Sequence, residues 1–188
     1  MKIALALTGA SGAIYAKVLL DQLKEHQNDF EAVALVMSDN AKTVWKEELA
    51  DESYLNYPFQ YYNKNDFYAP IASGSAGYDA LIICPCSMGT MARIAQGSSN
   101  DLITRAADVM LKERKKLICV IRESPYNLVH IKNMALITEA GGIICPASPS
   151  FYSLPKNIEE LALTISSRAL QLAGVNIKHY QWGSSAQK

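Results

Sequence analysis

The chain has 188 residues, 49% of them apolar, so it is long enough to bury one sizeable core. Its 18 lysines and arginines balance its 18 aspartates and glutamates. A formal net charge of zero excludes a long-range field drawing it to nucleic acid or to an anionic membrane, so the charges it uses must act locally.

The opening stretch MKIALALTGASGAIYA has the Lys, apolar run and small residues of a short signal peptide. Thr8, Gly9, Ser11 and Gly12 interrupt it before it reaches the roughly 7–15 apolar residues such a segment needs. Residues 3–7 read instead as a buried strand ending in a glycine-rich turn. A helix follows over 13–25, with Ile14, Val18, Leu19 and Leu23 along one face. Residues 32–37 read as a second strand, and Ser38 caps a helix starting near Asp39. The tyrosine-rich stretch 51–66 lacks periodicity and reads as irregular.

A strand over 80–84 leads into the loop CPCSMGT. Helices over 88–95 and 101–112 are split by QGSSN. A strand over 116–121, a helix over 127–140 and a strand over 143–145 come next, then the proline-rich loop PASPSFYSLP. Asn157 caps the last helix, with Glu159 and Glu160 in its first turn, where the macrodipole favours acids. Its apolar stripe is Ile158, Leu161, Ala162, Ile165, Ala169 and Leu172, and Gly174 suits its C-terminus. No apolar run approaches the roughly 18 residues of a membrane span. Short apolar strands alternating with helices predict an α/β fold: a single Rossmann-like doubly wound domain over 1–188, with a mostly parallel sheet and a tail from about residue 175. In such folds ligands bind beyond the carboxyl ends of the strands.

The strand-end loops therefore carry the function. TGASGA, residues 8–13, lets backbone N–H groups approach a phosphate, although Ser11 departs from G-x-G-x-x-G and a tight turn without a ligand is the competing reading. After the second strand, dinucleotide enzymes place an acid; here Ser38 comes first, with Asp39 behind it. Ser38 can serve a phosphate or ribityl chain, cap the helix, or do both. In CPCSMGT, Pro85 is expected to break the strand, and Ser87, Gly89 and Thr90 form a cradle of hydroxyls and bare backbone. Cys84 and Cys86, with one residue between them, would make a strained disulfide and a poor metal clamp. With Cys119 and Cys145 they form no C-x-x-C and read as reduced, buried thiols of a cytoplasmic protein.

Arg105 and Lys112 share one helix face, either a solvated surface or an anion site. Arg122 and Glu123 end a strand, Phe151 and Tyr152 are held between prolines, and Arg168 lies in the last helix. His26, His130 and His179 read as structural, and there is no nucleophile triad, paired-carboxylate motif or metal box. The set suits a flat aromatic cofactor with a phosphate, plus a second anionic ligand.

In chain order, TGASGA, CPCSMGT, DLITRAADVMLKERKKL, RESP, HIKNMALI, PASPSFY and the closing Trp resemble the UbiX-type flavin prenyltransferases, within the flavin-containing cysteine-decarboxylase-like superfamily. The resemblance implies an enzyme that joins the dimethylallyl group of dimethylallyl phosphate to N5 and C6 of reduced FMN, without a metal. It implies that the prenylated FMN goes to a UbiD-type decarboxylase. By position, Gly9, Ala10, Ser11, Ser38, Ser87, Met88, Gly89, Thr90 and Arg122 would hold FMN. Tyr152 and Arg168, with Arg105 and Lys112, would hold the prenyl phosphate. Ser11, Glu123 and Trp182 are the expected catalytic residues, Glu123 or the released phosphate taking the C6 proton and Trp182 closing over the prenyl group. Gln181 and Phe67 stand where the family commonly has Arg and often has Trp. Members are homo-oligomers, often dodecamers, with sites shared between subunits. The alternatives are a flavin-dependent cysteine decarboxylase, whose early His and Met-Asn-x-x-Met-Trp-like motif are absent here, and a non-catalytic FMN-binding partner subunit.

Overall fold

Six short segments pair edge to edge in the computed structural model, which describes residues 1–177. They are β1 (Lys2–Leu7), β2 (Ala32–Met37), β3 (Gln60–Tyr62), β4 (Ala80–Cys86), β5 (Lys116–Ile121) and β6 (Ile143–Pro146). Their order is β3-β2-β1-β4-β5-β6 and every pairing is parallel. Parallel neighbours need crossovers, and the helices supply them: α1 (Ala13–Glu25), α2 (Asp39–Leu49), α3 (Met88–Ala95), α4 (Leu102–Lys112), α5 (Leu128–Glu139) and α6 (Ile158–Ala173).

Both faces of the sheet are covered at its centre, which is why β1, β2, β4 and β5 are almost wholly apolar rather than alternating. On one face Leu5, Leu35 and Ile82 pack with Leu19 and Leu20 of α1, Trp45 of α2 and Ile165 and Leu170 of α6. On the other, Ala4, Val36 and Ile83 pack with Met91 of α3, Ala106 and Met110 of α4 and Ile137 of α5. Cys84 joins the first core and Cys86 the second: two residues apart in a regular strand they would share a face, and the register shift at Pro85 separates them; all four cysteines are free and buried.

Three expectations are corrected. The stretch read as irregular contains β3, an edge strand of three residues, too short to show alternation. Pro85 does not end β4: pairing with β5 skips from Ile83–Cys119 to Cys86–Ile121, and that register shift accommodates a residue with no N–H to give the ladder. Asp101 and Asn127 are N-caps rather than helical residues, each in a capping box, with Thr104 and His130 respectively. The last helix ends as read, with Gly174 left-handed at φ 92. Val175 and Ile177 are buried in the first core, so the start of the expected tail is packed. His179, Gln181 and Trp182 lie outside the described residues. Among the described residues no helix is long and apolar enough to cross a membrane.

Thr8, only 2% exposed, ties the end of β1 to the proline segment. Its Oγ1 donates to the Pro85 carbonyl at 2.8 Å and accepts from the Ser87 N–H at 2.7 Å. Thr8→Val keeps the shape and leaves the Ser87 N–H without its acceptor, while the Pro85 carbonyl keeps only the residue 8 N–H at 3.2 Å. It should lower unfolding stability by about 1–3 kcal/mol, seen as a lower urea midpoint at unchanged m. An unmoved midpoint would show that this junction carries no stability.

Candidate active site

The strand order reverses between β1 and β4, so their following loops diverge and leave a crevice at their carboxyl ends. Thr8 fixes the distance between those loops through its bonds to Pro85 and Ser87. The Ser38 N–H donates to the Leu7 carbonyl at 3.0 Å, which brings the loop after β2 to the same edge. From the end of β5, Arg122 Nε donates to the Ser11 carbonyl at 3.0 Å. Gly9 to Ser11, Ser38, Ser87 to Thr90 and Arg122 therefore converge within one protomer.

The hydroxyls here have defined jobs. Ser38 caps α2, its Oγ accepting from the Ala41 N–H at 3.1 Å, and as a cap it keeps its own proton to donate. Ser87 caps α3, accepting from the Thr90 N–H at 3.4 Å and donating to Thr90 Oγ1 at 3.1 Å. Behind Ser38, Asp39 is paired with Lys64, whose hydrogen bond holds the carboxyl below its usual range. The acid that would repel a phosphate after β2 is thus neutralised.

The glycines show where space is left for something else. A Cβ on Gly9 would lie 2.4 Å from Asn40 Cβ, and Gly12 is left-handed at φ 107. Gly89 has neither constraint: its φ is not positive, and a Cβ there would meet nothing within 4 Å. Among the described glycines, only Gly89 lacks a reason within the protein to be glycine. It stands at the start of α3, beside two hydroxyls, where bare backbone N–H groups suit a polar or anionic ligand.

The N-terminus of α1 is different. Glu48, near the end of α2, accepts from the Gly12 N–H at 2.9 and 3.1 Å and from the Ala13 N–H at 2.7 Å. The turn expected to receive a phosphate already holds the protein's own carboxylate, and the open helix starts are those of α2 and α3. Glu48 was not among the expected site residues. Its one sequence signal is an acid in the last turn of a helix, where the macrodipole disfavours it.

Other expected residues are dispersed. Arg105 on α4 donates from Nε to the Ala72 carbonyl at 3.1 Å and pairs with Asp108 at 2.8 Å. Lys112 pairs with Glu113 at the far end of α4, about 16 Å of helix from its start. Both are engaged with partners of their own protomer other than the crevice loops. Glu123 follows Arg122 and accepts from the Ser124 N–H at 3.1 Å. Tyr152 is exposed in the loop after β6, and Arg168 is exposed on α6, bonded to Gln171. Phe67 is 47% exposed. The sulfurs are poorly placed for chemistry. Burial pushes the Cys84 thiol far up, and a hydrogen bond with Cys119 together with burial does the same to Cys86, so both stay protonated at neutral pH.

Comparison with known proteins adds to this geometry. The Flavoprotein family matches residues 1–163. The flavin prenyltransferase UbiX of Methanocaldococcus jannaschii is 42% identical, over 98% of this chain and 100% of that protein. The crystal structure of AnUbiX (PadA1) in complex with FMN and dimethylallyl pyrophosphate superposes with a TM-score of 0.88 at 38% identity, covering 96% of this chain and 98% of that one. A dodecameric FMN-dependent UbiX-like decarboxylase from Escherichia coli O157:H7 gives 0.87 at 37% identity, covering 96% and 99%.

Two glycines at this edge should respond oppositely to substitution. Gly89→Ala should raise the stability of the ligand-free protein by about 0.5–1 kcal/mol, as alanine does in a helix. Gly9→Ala should lower its thermal midpoint, because the new methyl must displace Asn40. A destabilised Gly89→Ala protein would show that the chain itself needs this glycine.

Proposed function

This chain belongs to the UbiX flavin prenyltransferases, within the Flavoprotein family, and we propose that it transfers a dimethylallyl group from dimethylallyl phosphate to reduced FMN. The observation that carries this reading is the open backbone at Gly89, framed by Ser87, Thr90 and Ser38 at the switch point of the sheet. FMN, when bound, supplies the N5 and C6 atoms that accept the prenyl carbons. Gly9, Ala10, Ser11, Ser38, Ser87 to Thr90 and Arg122 hold it.

The chain's own residues manage charge. Breaking an allylic C–O bond builds negative charge on the leaving phosphate, and Arg168 with the Tyr152 hydroxyl stabilises it better than water does. Glu123 or the departing phosphate takes the C6 proton, and Glu48 is a second carboxylate against the Ser11 loop. Tyr152 and Phe67 line the prenyl side, excluding water from cationic character on the allyl group. The neutral thiols of Cys84 and Cys86 take no part.

The functional unit is a homo-oligomer, with a dodecamer as the expected size. Leu128, Val129, Ile131 and Leu136 of α5 and Phe151 and Leu154 beyond β6 are exposed and apolar, and burying them between subunits is favourable. Arg105 and Lys112, whose partners in their own protomer are not the crevice loops, then serve a neighbour's prenyl phosphate. The product passes to a UbiD-type decarboxylase. Four free, buried cysteines suit a cytoplasmic protein.

Incubated anaerobically with reduced FMN and dimethylallyl phosphate, the protein should yield a flavin heavier by one prenyl group in mass spectrometry. Folded, flavin-bound protein that returns only unmodified FMN would overturn the enzyme reading in favour of a non-catalytic flavin-binding subunit. Arg168→Ala should raise the KM for dimethylallyl phosphate about tenfold or more while leaving FMN affinity within about twofold. Equal losses in both would place Arg168 with the flavin instead.

A further inference from the structure

Arg93 lies one turn after Thr90 on α3 and reaches back along the same helix face. Its Nη2 donates to Thr90 Oγ1 at 3.1 Å, and its Nη1 donates to Asn100 Oδ1 at 3.0 Å and Asp101 Oδ2 at 2.9 Å. A guanidinium has only donors and keeps its charge, so at this contact the Thr90 oxygen must accept. Asp101 holds the fork in place. It is 9% exposed, and its other oxygen, Oδ1, accepts from both the N–H and the hydroxyl of Thr104 at 2.8 Å. The cap of α4 is thereby the fixed support for a group acting on α3.

Thr90 is 3% exposed, so the order of hydrogens around it matters. Its oxygen takes the Ser87 hydroxyl proton on one side and the Arg93 proton on the other. Both lone pairs are then used, and the Thr90 hydroxyl hydrogen has no acceptor among the described residues. A cationic donor on the oxygen also strengthens the hydroxyl as a donor. Because Asp101 offsets its charge, Arg93 contributes direction rather than net positive potential.

We propose that Arg93 is a positioning residue that fixes Thr90 as a hydrogen-bond donor to the flavin. This rests on the reading of residues 87–90 as the FMN cradle. Without Arg93, Thr90 can turn and donate to Ser87 instead, and the cradle loses a donor.

The test is a double-mutant cycle on FMN affinity, measured by titrating the full-length protein with oxidised FMN and following flavin fluorescence. Thr90→Val should weaken FMN binding about tenfold, and Arg93→Met alone by about five- to tenfold. In the Thr90→Val background, Arg93→Met should cost less than about twofold in FMN affinity. Equal losses in FMN affinity in both backgrounds would overturn the inference and leave the cradle intact. If Thr90→Val binds FMN normally, the cradle reading fails and takes this inference with it. Should Arg93→Met not fold, Arg93→Lys replaces it in the cycle: it keeps a charge facing Asp101 but lacks the fork needed to hold Thr90 as well.

Discussion

The bond pair at Thr8 is the constraint on which the site depends. In a parallel sheet that reverses direction between β1 and β4, the two central loops have no reason to stay together, since their helices leave on opposite faces. One buried residue joins them: the Thr8 hydroxyl and N–H both donate to the Pro85 carbonyl, and the hydroxyl accepts from the Ser87 N–H. The proline makes the junction possible. It interrupts ladder pairing between Ile83 and Cys86, and the carbonyl freed there becomes the acceptor for Thr8. Everything placed on these loops, from Gly9 to Thr90, inherits its spacing from this contact.

Electrostatics then divides the edge. Three helices begin near it, and each presents unpaired N–H groups with partial positive charge. Glu48 closes the start of α1, whereas Ser38 and Ser87 cap α2 and α3 with neutral hydroxyls that leave room for an incoming anion. A carboxylate at α1 directs an anionic ligand toward the β2 and β4 side of the crevice. The pairing of Asp39 with Lys64 removes the one acid that would oppose it there.

Much of this could be read from the chain, because the strands are buried on both faces and appear as plain apolar runs. β1, β2 and β5 were placed to within one residue, and the caps at Ser38 and Asn157 were explicit. What escaped was set by tertiary context. β3 exists because β2 offers it an edge, not because three residues have a period. Pro85 stays in its strand because the register yields around it. Glu48 acts across space on a helix start 35 residues earlier, and no local pattern marks that pairing. Arg105 and Lys112 carry a family motif, yet nothing in the motif says which groups of their own chain they pair with.

Zero net charge, finally, does not mean a neutral crevice. Arg93, Arg105, Lys64 and Lys112 each face a carboxylate: Asp101, Asp108, Asp39 and Glu113. Among the described residues Arg122 and Arg168 form no such pair. Their bonds run to the Ser11 carbonyl and the Gln171 carboxamide, which hold position without cancelling charge. Balance over the whole sequence therefore does not fix the charge where the strands end, where Arg122 stands beside the loop whose N–H groups Glu48 holds. Such cations act over less than a Debye length, about 8 Å at physiological salt, so they favour an anion already in the crevice more than they steer one toward it. That division suits a site that must hold one phosphate on its nucleotide while stabilising another as it leaves.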